Sequence, residues 1–112
     1  MFDPGAYMSM LSAKASHASH RHGVIAENIA NADTPGYRAR VVEPFADMYA
    51  RHGNQGRVRE MGAGITLSPN GNSVSLEDQM MLAAQTKVDH DMALGLYRKS
   101  LDMMKLAIGK NL

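Results

Sequence analysis

Apolar positions along the chain fall into two long helical stripes, separated by a stretch with no regular period. No proline occurs between about Ala6 and Ala32, and Met8, Leu11, Ala15, Ala18, His22, Ile25, Ile29 and Ala32 follow one another at alternating spacings of three and four. That alternation is the seam of a coiled coil, with His22 as its polar member. Asp3 and Pro4 suit a cap and a first helical turn. Gly23 weakens the helix by about 1 kcal/mol relative to Ala, so packing rather than propensity has to hold it. The pattern predicts a helix over residues 6–33, ending near Asp33 because Pro35 lacks an amide hydrogen and drives Thr34 toward an extended conformation. Thr34-Pro35-Gly36-Tyr37 then reads as a type II turn, with Gly36 at the position that needs a positive φ.

The second stripe is Leu76, Met80, Ala83, Lys87, His90, Leu94, Tyr97, Leu101, Met104 and Ile108. Ser75 and Asp78 resemble a capping box ahead of it, and a helix is predicted over residues 73–112. Met81, Ala84, Val88, Met92, Leu96 and Met103 widen the stripe to a second face, so this helix is expected to be covered on more than one side. From Leu76 to Lys110 it would run roughly 52 Å, whereas a compact chain of this length is roughly 34 Å across. The expected architecture is therefore mainly α: a single domain of 112 residues, an elongated two-helix coiled-coil subunit that completes its burial in an assembly. In the turn-and-loop segment 34–72, Val41-Val42 can extend before Glu43-Pro44 breaks the run, and Phe45 to Tyr49 suits a short helix. Five of the ten glycines lie between Gly53 and Gly71. That richness suggests an irregular or β-containing middle, with a hairpin around 57–67 and Gly56 in a loop of loose demands.

Composition narrows the function classes. Apolar residues are 45% and charged residues 21% of the chain, with a net charge of +1, so there is no general field for nucleic acid or an anionic membrane. No run approaches the length of a membrane span, and no cleavable secretory signal is visible in Met1 to Met10. The absence of cysteine removes disulfides, zinc–thiolate sites and thiol nucleophiles. Ten methionines beside two Phe, four Tyr and no Trp make a flexible apolar material with few rigid anchors.

Candidate chemistry is weak. On a helix at most two of His17, His20 and His22 converge, and no carboxylate or Cys stands where it would complete a metal site. Asp89-His90-Asp91 point in different directions with no nucleophile beside them. Arg38, Arg40, Arg51, Arg57 and Arg59 lack the interleaved aromatics of a nucleic-acid arm and suit a solvated face or an acidic neighbour. No catalytic residue, metal, cofactor, small-molecule substrate or nucleic acid is expected.

The most specific stretch runs from Glu27 to Tyr37. Read by itself it is a helix end, with Asn amides placed to bond terminal carbonyls and Pro-Gly making the turn. At Asn28, Ala30, Asn31, Thr34, Gly36 and Tyr37, with Pro35 between, it closely resembles the amino-terminal signature of the flagellar axial proteins, in the form closest to the basal-body proximal rod proteins. Gly71, Asn72, Val74, Leu76 and Glu77 are similar to the Gly-Asn-x-Val-x-Leu-Glu segment that opens the carboxy-terminal helix in that family. The resemblance implies a structural subunit of the periplasmic rod in the flagellar basal body, exported by the flagellar type III apparatus without a cleaved signal peptide. Its implied partners are itself, other rod proteins, the basal-body adaptor protein and the export gate. The terminal helices would polymerise as part of the drive shaft and export conduit. The expected assembly seam comprises Leu11, Ala18, Ile25 and Ile29 on the first helix and Leu94, Tyr97, Leu101, Met104 and Ile108 on the second. The alternative from another class is a soluble coiled-coil binding module or regulator, for which the signature has no reason to exist.

Overall fold

A computed structural model describes residues 2–61 and 69–109. Two long helices, α1 (Pro4–Ala30) and α3 (Leu76–Gly109), flank a middle made of β1 (Arg40–Val42), α2 (Phe45–Ala50) and β2 (Val58–Glu60). The long helices lie antiparallel. Near one end of the pair Asn28 bonds Gln79, and at the other Phe2 and Tyr7 share a groove with Leu96 and Met103. The molecule measures 67 × 25 × 15 Å with a radius of gyration of 18.2 Å, well above the roughly 13 Å of a compact chain this long.

Capping explains where the helices start. The Asp3 carboxylate accepts from the Gly5 amide at 2.9 Å, and Pro4 occupies a first-turn position where no amide hydrogen is needed. The Ser75 hydroxyl accepts from the Asp78 amide at 3.4 Å, a long contact that opens α3. At its other end α1 stops at Ala30, ahead of the predicted end near Asp33. There the Asn31 carbonyl is diverted to the Thr34 amide and to the Asn72 side chain, so the helical ladder has nothing to continue with.

The middle segment holds a two-stranded antiparallel ribbon. β2 is antiparallel to β1, with Arg40 opposite Glu60 and Val42 opposite Val58, so the strand at 58–60 closes onto residues 40–42. The expected hairpin around 57–67 would need residues 62–67, which lie outside the described part, as do residues 110–112 at the predicted helix end. Gly56 is buried rather than loosely placed. A Cβ there would sit 2.5 Å from Val42 Cγ1 and 3.3 Å from the His17 ring, so only glycine lets this loop close against α1.

The core is thin and partly polar. Leu11, Ala18, Val24 and Ile25 of α1 are buried, with Ala93 of α3 and Ala39, Val42 and Met48 from the middle. Beside them His17, Asn28, Asn72, Ser73, Gln79 and Thr86 are buried polar residues. On α1 the covered arc is therefore rotated from the predicted stripe: it takes in His17, Val24 and Asn28 and leaves His22 exposed. On α3 the covered line is Gln79, Thr86 and Ala93, at seven-residue intervals, while Leu76, Met80 and Lys87 of the predicted stripe are exposed. Small and polar side chains sit at the contact because the amide and hydroxyl groups find partners there and let the helices approach; Thr86 Oγ1 bonds the Leu82 carbonyl at 2.6 Å.

Candidate functional site

The two sequence motifs, some forty residues apart in the chain, meet in one polar knot. Asn28 is completely buried, and its amide is saturated. Nδ2 donates to the Arg40 carbonyl at 2.8 Å and to Gln79 Oε1 at 2.9 Å. Oδ1 accepts from the Arg40 amide and from the Tyr37 hydroxyl, both at 3.0 Å. Because Arg40 presents both a donor and an acceptor, the orientation of the side-chain amide is fixed. Asn28 thereby ties α1 to the start of β1 and to α3. Burial, followed by the nearby Glu27 carboxylate, raises the Tyr37 phenol above its usual value and keeps it a donor.

Asn31 caps α1 by donating to the Glu27 carbonyl, and its Oδ1 accepts from the Thr34 hydroxyl at 3.1 Å. The predicted turn is present: the Tyr37 amide reaches the Thr34 carbonyl, and Gly36 has φ +75°. Ala30 and Pro35 are exposed. From the second motif, buried Asn72 donates to the carbonyls of Asn31 at 2.8 Å and Thr34 at 2.6 Å, and its Oδ1 receives the Val74 amide. Gly71, at φ +82°, would bring a Cβ within 3.6 Å of Gly36 Cα. The Gly36 amide bonds the Asn70 carbonyl, and the Ser73 amide bonds that of Tyr37. Val74 is half-buried, whereas Leu76 and Glu77 point outward.

The expected assembly seam divides. Leu11, Ala18 and Ile25 are buried within the subunit and Ile29 is half-buried, as are Leu94, Tyr97 and Leu101; Met104 and Ile108 are exposed. The second apolar face of α3 is uncovered, with Met81, Val88, Met92 and Met103 each more than half exposed and Leu96 at 40%. The groove at the open end, lined by Phe2, Tyr7, Leu96 and Met103 among others, adds about 440 Å³ of largely apolar space.

The histidine cluster disperses. His17 turns inward, its Nε2 2.7 Å from the Glu43 carbonyl and its ring edge-on to Phe45, while His22 faces solvent. Among the described residues no group of His, Asp and Glu could hold a metal ion, and no helix is long and apolar enough to cross a membrane. Two of the arginines meet acidic neighbours. Arg40 pairs with Glu27 at 3.3 Å, and Arg51 grips both oxygens of Glu43 at 2.9 Å, holding that carboxyl below its usual value. Sequence reasoning gave no role to Gln79 or Ser73 and placed Gly56 too loosely. Ser73 Oγ accepts the buried Ala39 amide at 2.6 Å. For Gln79 the available signal was its seven-residue spacing from Thr86 along α3.

The family of flagella basal body rod proteins matches residues 15–38, which contain α1's second half and the turn. The flagellar basal body rod protein FlgB of Agrobacterium fabrum (strain C58) is 32% identical over 120 aligned positions, covering 88% of this chain and 90% of the relative.

Proposed function

The chain belongs to the flagellar basal body rod protein family, and from that premise we propose that α1 and α3 polymerise with those of neighbouring subunits into the wall of the rod. A member of this family is a structural component of the flagellar basal body, not an enzyme, and it assembles with other basal-body components. The finer reading is that the wall transmits torque and surrounds an open export lumen. It includes contacts with the adaptor protein and export gate, and delivery of the unfolded chain to the periplasmic rod without a cleaved signal.

One observation carries the proposal: the uncovered apolar face of α3. Met81, Val88, Met92, Leu96 and Met103 follow one side of a helix that the subunit covers only on the other. A continuous apolar stripe of this kind marks an interaction surface. Covering each side chain contributes about 1 to 2 kcal/mol, which summed along the stripe suffices to hold subunits side by side. The test is Val88→Asp against Asp102→Ala. Val88 is 58% exposed, so the aspartate variant should keep monomer helicity by circular dichroism and still be exported, yet build no rod; Asp102→Ala should build rods normally. Motile cells carrying Val88→Asp would end the reading.

A further inference from the structure

A pocket of about 340 Å³ opens where α1, the β ribbon and α3 meet. Lys14, Arg21 and Arg59 line it, with the rings of Pro44 and Phe45 as an apolar wall. Lys14 lies 6.0 Å above the Phe45 ring. Among the described residues none of the three cations has an ion pair or hydrogen bond. The carboxylates at the pocket are Asp89, which pairs with none of them, and Glu43, which is taken by Arg51. Arg21 is half-buried, so its unmatched charge is held in a partly desolvated place.

The same chain carries the complementary surface. Glu77 and Asp78 stand in the first turn of α3 with carboxylates that bond nothing among the described residues. Around them Leu76, Met80 and Met81 are 47%, 59% and 59% exposed. The helix dipole favours acids at this position but gives no reason for the uncovered apolar side chains beside them. Two carboxylates framed by apolar groups match three cations framed by aromatic and proline rings.

We propose that the pocket between Lys14, Arg21 and Arg59 receives the Glu77 and Asp78 side chains of a second copy of this chain. Glu77 precedes the pocket residue Thr86 by about 13 Å along α3, so a second copy packed parallel to the first is displaced axially by roughly that distance. Copies packed in parallel and shifted by that step are not related by a two-fold axis, so the contact is heterologous: it repeats around a ring or along a helix rather than closing a dimer. The inference rests on the polymerisation reading above and adds the contact that sets the stagger between copies. Apolar stripes alone slide, whereas a charge pair seated in a pocket fixes register.

The experiment is a charge swap in cells whose own copy of the gene is deleted, read by swimming rate and by rods in purified basal bodies. Arg21→Glu with Arg59→Glu, and separately Glu77→Arg with Asp78→Arg, should each lower both readouts by about tenfold or more, with export and monomer helicity retained. One chain carrying all four changes should recover to within about twofold of wild type, because the attraction is restored with its sign inverted. Failure of the fourfold variant to recover overturns the pairing. So does normal assembly of either double variant; harmless acidic swaps beside damaging basic ones would assign the pocket to a different partner. The wild-type chain serves as the separate check on polymerisation: its absence from purified rods would remove both readings, whereas its presence with no rescue removes only this one.

Discussion

Asn28 has two amide hydrogens and two acceptor directions, and each has a partner inside the fold. Substitution therefore strands several buried groups at once. Asn28→Asp keeps the size but replaces a donor with a carboxylate facing the Arg40 carbonyl and Gln79 Oε1. It should cost about 2 to 4 kcal/mol, read as a lowered denaturation midpoint, and Asn28→Ala a similar amount. The glycines separate two kinds of constraint. At Gly36 a Cβ meets nothing within 4 Å but the backbone is left-handed, so Gly36→Ala costs about 1 kcal/mol through conformation alone. Gly56→Ala instead drives a methyl into Val42 and should cost about 1 to 3 kcal/mol. A double-mutant cycle distinguishes them: Val42→Ala should relieve much of the Gly56→Ala loss and none of the Gly36→Ala loss. Equal relief at both positions would contradict the packing argument.

Among the elements, the middle segment depends most on electrostatics. The Glu43 amide bonds the Arg57 carbonyl, while its carboxylate is held by Arg51, whose Nη2 also bonds the Gln55 carbonyl. Glu43 thus links the end of β1 to the loop before β2. The hydrogen bond from Arg51 lowers its folded-state pKa from 4.5. The stabilisation is therefore present above the unfolded value and is lost as pH falls through the lower folded value. Thermal unfolding of wild type and Glu43→Gln should differ near neutral pH and converge in acid below the ordinary carboxylate range. A gap that widened on acidification would have the wrong sign for this linkage.

For the whole molecule, length and thickness are in tension. The subunit is 67 Å long and 15 Å across its thinnest dimension, and among the described residues only eight apolar ones are buried, three of them alanines. Amide exchange in the dilute monomer should accordingly be slowest where α1, α3 and the motif knot meet, around Ile25, Asn28 and Gln79. It should be fast in α3 beyond Met103, where every described residue is exposed, because a helix end without packing cannot offset its chain entropy. Uniform slow exchange to Gly109 would show a monomer more self-sufficient than its contacts suggest.

Periodicity determined that two long helices exist and that α3 carries more apolar surface than one partner helix covers, and turn chemistry that Thr34 to Tyr37 reverse the chain. Spacing and turn chemistry act locally, so they are written in consecutive residues. The resemblance at Asn28 to Tyr37 and Gly71 to Glu77 also lay in the sequence. What remained hidden was that the two motifs bond each other, that α1 buries the arc holding His17, Val24 and Asn28, and that the strand at 58–60 pairs with 40–42. Each depends on which distant groups satisfy a buried donor or acceptor. Gly56 shows the limit most plainly: its backbone needs no glycine conformation, and only the approach of Val42 and His17 in three dimensions excludes a side chain there.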